Sequence, residues 1–293
     1  MESLPDSAID SPDDEKAFYW LKLAAEQGHC EAQYSLGQKY TEDKSRHKDN
    51  EQAIFWLKKA ALQGHTFASN ALGWTLDRGE APNYKEAVVW YQIAAESGMS
   101  YAQNNLGWMY RNGNGVAKDY ALAFFWYKQA ALQGHSDAQN NLADLYEDGK
   151  GVAQNKTLAA FWYLKSAQQG NRHAQFQIAW DYNAGEGVDQ DYKQAMYWYL
   201  KAAAQGSVGA YVNIGYMYKH GQGVEKDYQA AFEWFTKAAE CNDATAWYNL
   251  AIMYHYGEGR PVDLRQALDL YRKVQSSGTR DVSQEIRETE DLL

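Results

Sequence analysis

Seven tryptophans recur at an almost constant spacing, and this spacing restricts the chain to a repeat architecture. They are Trp20, Trp56, Trp90, Trp126, Trp162, Trp198 and Trp234. Each step is 36 residues, except for one step of 34 between Trp56 and Trp90. A row of alanines that runs from Ala32 to Ala246 has the same short step at the same place. The chain is therefore built from units of about 36 residues, with one loop shortened near Gly79–Pro82.

Each unit contains a helix around its tryptophan. Ala123, Trp126, Tyr127 and Ala130 follow the i, i+3, i+4, i+7 spacing of one apolar helix face, so we predict that the tryptophans lie in the core. Four residues before the first alanine of each such helix stands an Asp or Asn, the residue types preferred as N-caps. These residues are Asp13, Asp49, Asn83, Asp119, Asn155, Asp191, Asp227 and Asp263. After each helix comes a Gly, replaced once by Asn242, as a left-handed C-cap requires.

A second helix precedes each tryptophan helix. Its pattern in one unit is Ala102, Leu106 and Tyr110, with Gly107 after the leucine. A small residue recurs at the Gly107 position, where it lets a neighbouring helix approach closely. Two helices per unit predict an all-α fold of antiparallel helix pairs. The first helix, at about 13–27, has no such partner before it, so its apolar face should be partly uncovered.

The combined motif resembles that of the Sel-one-like repeat (SLR), a member of the tetratricopeptide-like superfamily. Ala102–Gly134 carries A-x-x-x-L-G-x-x-Y, then G-x-G-V-x-x-D-Y, then A-x-x-W-Y and a final Gly. The resemblance implies a right-handed α-α superhelix, or solenoid, with adaptor, scaffold or regulatory roles, often in bacteria. We divide the chain into a disordered acidic lead at 1–12, a solenoid of a half repeat plus seven repeats at 13–279, and a C-terminal capping helix at 280–293.

The resemblance to tetratricopeptide proteins also implies that the A-x-x-x-L-G helices line a concave face. We predict that a partner binds there, at positions two before, two after and five after each leucine. The predicted site comprises Asn70, Trp74, Asn104, Trp108, Arg111, Asn140, Asp144, Phe176, Trp180, Tyr216 and Lys219. Asn can bond a peptide backbone, and Trp and Tyr are frequent binding hot spots. The alternative is that these aromatic residues only fill space between neighbouring repeats.

No catalytic motif interrupts the repeats. Neither H-E-x-x-H nor G-x-S-x-G occurs, and the G-x-G turns lack the third Gly and the preceding strand of a nucleotide-binding fingerprint. His29, His65 and His135 directly follow C-cap glycines, so we interpret them as turn residues. Cys30 and Cys241 would lie too far apart in a rod to form a disulfide. We predict that the protein is not an enzyme and has no cofactor and no metal site.

The net charge of −10 makes nucleic acid a poor partner, because an acidic chain repels phosphate backbones. No apolar run reaches the roughly 20 residues that span a membrane. The first residues also lack the basic and apolar regions of a secretory signal. We expect a cytoplasmic monomer; the alternative location is the periplasm, if an N-terminal signal is missing from this chain.

The predicted function is a scaffold or adaptor that binds a peptide or protein on the concave face. A first alternative is an inhibitor, immunity protein or regulator of an enzyme such as a cell-wall hydrolase. A second alternative is carbohydrate or peptidoglycan binding through exposed Trp and Tyr.

Overall fold

The computed structural model describes residues 12–42, 47–79 and 81–293. These residues form helices, turns and bends but no strand, so the predicted all-α class is confirmed. The chain folds as two compact units, Met1–Ala153 and Gln154–Leu293. Except for Pro12, the predicted lead at 1–12 lies outside the described residues.

Eight helices are described in each unit. The N-terminal unit contains α1 (Pro12–Glu26), α2 (Cys30–Thr41), α3 (Asn50–Leu62), α4 (Thr66–Arg78), α5 (Tyr84–Glu96), α6 (Ser100–Asn112), α7 (Tyr120–Leu132) and α8 (Ser136–Asp148). The C-terminal unit contains α9 (Lys156–Gln168), α10 (Arg172–Ala184), α11 (Tyr192–Ala204), α12 (Val208–His220), α13 (Tyr228–Glu240), α14 (Ala244–Tyr256), α15 (Leu264–Ser277) and α16 (Ser283–Asp291).

Two kinds of helix alternate along each unit. We call the odd-numbered helices, which carry the tryptophans, B helices, and the even-numbered ones A helices. Each of α2, α4 and α6 packs against the B helix on either side of it, as do α10, α12 and α14 in the C-terminal unit. Short turns reverse the chain between them, which confirms the antiparallel helix pairs. The turn from α4 to α5 spans 79–83, whereas that from α6 to α7 spans 113–119, so the shortened loop is also confirmed.

The predicted N-caps begin seven of the B helices. The Asp49 carboxylate accepts hydrogen bonds from the backbone N–H groups of Glu51 and Gln52, both at 3.0 Å. Equivalent side-chain caps occur at Asn83, Asp119, Asn155, Asp191, Asp227 and Asp263. The prediction is wrong for Asp13, which lies inside α1 because this helix begins at Pro12. Proline suits the first helical position, since its φ is already helical and its missing N–H has no partner to lose.

The C-cap prediction is confirmed at its most demanding position. Asn242 follows α13 with φ of 60°, and among the described residues it is the only non-glycine with a positive φ. The glycines at this position in the other repeats have φ between 67° and 94°. Asn is the residue that best tolerates this left-handed conformation after Gly.

We call the regularly spaced tryptophans the ladder tryptophans. In most repeats the residue directly after the ladder tryptophan is fully buried in the core. Tyr91 and Tyr127 are completely buried in the N-terminal unit, and Tyr199 and Phe235 in the C-terminal unit. A Cβ atom added to Gly107 would lie 2.7 Å from the Tyr127 ring, which leaves no room for one. The small position after the leucine therefore sets how closely A and B helices approach, as predicted.

The tryptophans themselves are less uniform than predicted. Trp56, Trp90 and Trp198 are buried. Three others, Trp126, Trp162 and Trp234, are only half-buried. Trp20 is 63% exposed, so the prediction of a core residue is wrong there, while the prediction of a partly uncovered face on the first helix is confirmed. The physical reason is that, among the described helices, only α2 packs closely on α1, whereas α3 packs against both α2 and α4.

The last helix lies within the region predicted as a cap, although the domain boundaries stay predictions. Val282 is fully buried and Ile286 packs beside it against the core under α15. Arg287 and Glu290 are exposed. No described helix combines the length and the apolar character that crossing a membrane requires.

Candidate partner-binding surface

Neighbouring A helices lie side by side, as direct hydrogen bonds between their polar side chains show. Nδ2 of Asn105 in α6 donates to Oδ1 of Asn70 in α4 at 3.2 Å, and Nδ2 of Asn141 in α8 donates to Oδ1 of Asn104 in α6 at 3.0 Å. In the C-terminal unit, Nδ2 of Asn249 donates to the Tyr216 hydroxyl at 2.9 Å. We call the surface formed by the A helices of each unit, which carry the predicted site residues, the A-helix face.

Three large indole rings stand open on this surface. Trp74 is 47% exposed and Trp108 is 41% exposed in the N-terminal unit, and Trp180 is 37% exposed in the C-terminal unit. Beside Trp74 lies a cleft of about 220 Å³, lined by Gln38 and Asn70 among others. On its other side, the Arg78 guanidinium lies 5.6 Å from the ring centroid of Trp74. These indoles have apolar surface and adjacent polar groups available for a partner.

The predicted charged residues are already paired within the fold. Nη1 of Arg111 lies 3.0 Å from a carboxylate oxygen of Asp144. Burial acts to lower the pKa of Arg111, but Asp144 outweighs burial and the pKa is raised. In the C-terminal unit, Nζ of Lys219 lies 2.7 Å from Glu258. A partner would therefore meet ion pairs here rather than free charges.

The other predicted residues differ in accessibility. Asn140 is buried, unlike the half-buried Asn70 and Asn104. Phe176 is half-buried, with its ring centroid 5.8 Å from that of Tyr199. Tyr216 is half-buried against Phe235 and Asn249. The rings of Phe176 and Tyr216 thus pack against neighbouring helices, and the part of all five residues in partner binding stays a prediction.

Pairs of hydrogen-bonded glutamines, each with one buried member, connect successive repeats, and sequence reasoning missed them. Nε2 of Gln103 donates to the Ala95 carbonyl at 3.2 Å, and Nε2 of Gln133 donates to Oε1 of Gln103 at 2.8 Å. One amide thus connects α5, α6 and the end of α7. The same pairing occurs between Gln63 and Gln33 and between Gln205 and Gln175. The signal was present, because Gln recurs directly after the ladder alanine in Gln33, Gln103, Gln139 and Gln175.

The histidines after the C-cap glycines act as turn residues. Nδ1 of His65 accepts a hydrogen bond from the backbone N–H of Ala68 at 3.1 Å, and Nδ1 of His135 does the same for Ala138 at 3.3 Å. Both rings therefore cap A helices. Cys30 and Cys241 are free thiols. Across residues 12–42, 47–79 and 81–293, no three His, Cys, Asp or Glu side chains converge as metal ligands.

The comparisons with known proteins agree with this geometry. The Sel1 repeat family model matches consecutive segments at residues 10–29, 30–65, 66–99, 100–135, 136–171, 172–207, 208–243 and 244–273. The chain belongs to the Sel1 repeat family. Sel1 repeat proteins are generally non-catalytic scaffolds that bind other proteins.

Two solved structures carry the same fold at substantial identity. One is a protective antigen present in uropathogenic Escherichia coli strains, which displays an SLR fold; it is 35% identical with a TM-score of 0.83. The match covers 89% of this chain and 56% of that one, so this Sel1 chain spans little more than half the length of the antigen. A Sel1 repeat protein from Oxalobacter formigenes is 33% identical with a TM-score of 0.67, over 73% of this chain and 86% of that one. The predicted family and fold class are confirmed.

Proposed function

We propose that this Sel1 chain binds a peptide or protein segment along the A-helix face of its N-terminal unit, with Trp74 and Trp108 as anchors. The observation that carries the proposal is the exposure of both indole rings at one repeat position. Large aromatic side chains that enter a partner's pocket account for much of the binding energy in many interfaces. Since Tyr91 and Tyr127 already fill the adjacent core, the two indoles are free to contact a partner.

Two amide groups support an extended segment as the partner. Asn70 and Asn104 each accept a hydrogen bond through Oδ1 from an Asn of the next A helix. Within the part of the chain that the structure describes, neither Nδ2 group donates a hydrogen bond. An amide N–H group beside an exposed indole can donate to a backbone carbonyl without reading the partner's sequence. The surface therefore favours contacts to the main chain and to apolar side chains.

The partner can be captured by crosslinking from the surface itself. A photoreactive phenylalanine analogue is placed at Trp108 on α6 or, as a matched position, at Phe125 on α7. Phe125 is similarly exposed but lies on a B helix of the same unit. We expect an adduct in the native host from position 108 and none of the same mass from position 125. Adducts from position 125 alone would contradict the proposal.

The affinity of the captured partner then tests the anchors. We expect the Trp74→Ala/Trp108→Ala variant to bind at least about 30-fold more weakly, since a hot-spot side chain contributes roughly 2 kcal/mol or more. Titration calorimetry with the purified partner measures the change. The Phe55→Ala/Phe125→Ala variant is the control, because it removes two exposed aromatic rings from B helices. An equal loss in both variants, or none in the first, would contradict the assignment of this face.

A further inference from the structure

A second row of apolar side chains occupies the position directly before each ladder tryptophan. It holds an apolar residue before the first six tryptophans and an acidic residue before Trp234 and before Leu270, which takes the tryptophan position in the last repeat. The residues are Tyr19, Phe55, Val89, Phe125, Phe161 and Tyr197, followed by Glu233 and Asp269. All six apolar members are exposed, so the row is not part of the core. The change of residue type after Tyr197 gives this row a definite end.

In the C-terminal unit, this row lies on two adjacent helices. Both α9 and α11 pack on α10, and Nε2 of Gln205, after α11, donates to the Gly170 carbonyl, after α9, at 2.9 Å. Phe161 and Tyr197 are 47% and 49% exposed. Leu158 and Leu200 are exposed on the same two helices. The two rings occupy equivalent positions of successive repeats and are exposed to nearly the same extent.

The same two helices are basic, although the chain as a whole has a net charge of −10. They contain Lys156, Lys165, Lys193 and Lys201 and no Asp or Glu. Lys156 pairs with Glu186, whereas the ammonium groups of Lys165 and Lys201 lie 5.7 and 5.6 Å from the ring centroids of Phe161 and Tyr197. Each exposed ring therefore has a cation beside it.

We propose that the outer face of α9 and α11 docks on an anionic lipid surface. Aromatic rings favour the interface between headgroups and acyl chains, and lysines are attracted to anionic headgroups. Two exposed rings on neighbouring B helices can enter the headgroup region, where the lysine beside each ring is attracted to the phosphates. Repulsion from acidic parts of the chain fades beyond about 8 Å at physiological ionic strength, so it does not prevent this local contact.

Co-sedimentation of the full chain with vesicles tests the apolar part of the proposal. We expect binding to phosphatidylcholine vesicles that contain phosphatidylglycerol, and much weaker binding to pure phosphatidylcholine vesicles. The Phe161→Ala/Tyr197→Ala variant should lower the partition coefficient at least about tenfold. The control is Tyr256→Ala, which removes an exposed aromatic ring from A helix α14. Circular dichroism confirms that each variant stays helical.

The charge part has its own variants. Lys165→Glu/Lys201→Glu should abolish the preference for phosphatidylglycerol. The Lys118→Glu/Lys226→Glu control makes the same change in net charge at turns outside this face, and its binding should stay near that of the wild type. The proposal is overturned if the chain ignores phosphatidylglycerol vesicles, as it would if the face recognises an acidic protein instead. It is equally overturned if both controls weaken binding as much as the test variants.

Discussion

Tyr91 and Tyr127 occupy the same position in successive repeats, yet their hydroxyl groups have opposite electrostatic surroundings. The Tyr91 hydroxyl donates a hydrogen bond to Oδ2 of Asp77 at 2.8 Å. The Tyr127 hydroxyl lies near Arg111, which acts to lower its pKa, and within the described residues it makes no hydrogen bond of regular geometry. Burial raises the pKa of both phenols, so both are neutral at physiological pH.

The difference shows which part of a repeat is fixed and which part varies. Both rings are fully buried against a glycine, Gly73 or Gly107, whose added Cβ would lie within 3 Å of the ring. The residue five positions after the leucine varies from Asp77 to Arg111. Asp77 bonds within its own helix pair, whereas Arg111 also reaches Asp144 of the next repeat. Packing therefore keeps the period constant while polar residues change how strongly neighbouring repeats are joined.

The largest effect should be the loss of a whole buried ring, in either repeat. We expect Tyr91→Ala and Tyr127→Ala each to lower the free energy of unfolding by about 3–5 kcal/mol, because each leaves a cavity where a whole ring was buried. Denaturant titration followed by circular dichroism measures both. Phe125→Ala, next to these positions but exposed, should change stability by less than about 0.5 kcal/mol. Losses that differ by more than the separate cost of Tyr91→Phe would contradict the claim that packing fixes the ring position in both repeats.

Removal of the hydroxyl alone should separate the two repeats. Tyr91→Phe leaves the partly buried Asp77 carboxylate without its donor, so we expect a loss of about 1–3 kcal/mol. Tyr127→Phe removes only the contact of the hydroxyl with Arg111, which lacks regular hydrogen-bond geometry, and we expect a change below about 0.5 kcal/mol. The same denaturant titrations compare the two variants directly. Equal costs would show that the two hydroxyl environments are energetically alike, against our interpretation.

The features predicted correctly are those that depend on residues close in the chain. A cap is a contact over two or three residues, so Asp49 and Asn242 could be placed without knowledge of the fold. The period and the shortened loop follow from counting, and the small Gly107 position follows from its recurrence. Each of these rules needs only one repeat and its repetition.

The features that sequence reasoning missed depend on contacts between a side chain and residues of another repeat. The amphipathic pattern could not tell Trp126, which is half-buried, from Trp56, which is buried, because both sit at one helical position. It also could not show that Lys219 forms an ion pair with Glu258, 39 residues later. The predicted face stays a prediction, and the accessibility of each of its members depends on the neighbouring repeat.

The smallest effect concerns the proton on Asp77. Burial raises the pKa of this carboxyl, although the Tyr91 hydrogen bond and Arg78 act to lower it. A carboxyl whose pKa is higher in the folded state binds its proton more tightly there than in the unfolded chain. Its contribution to stability is therefore unfavourable above the folded pKa, and this penalty is relieved as the pH falls towards the ordinary value of 3.8.

Asp77→Asn removes this titration and keeps an acceptor for the Tyr91 hydroxyl. We expect the wild type to gain stability relative to Asp77→Asn as the pH falls from neutral towards 3.8, by less than the cost of Tyr91→Phe. Urea titrations of both proteins across this range measure the difference, in which the titration of every other group cancels. Asp281→Asn should give the opposite sign, since hydrogen bonds from Ser283 lower the pKa of Asp281 and its stabilisation is lost in acid. If the difference in unfolding free energy between wild type and Asp77→Asn stays constant with pH, then solvent already stabilises the Asp77 charge in the folded state. The contrast between Tyr91 and Tyr127 would then depend on the hydrogen bond alone.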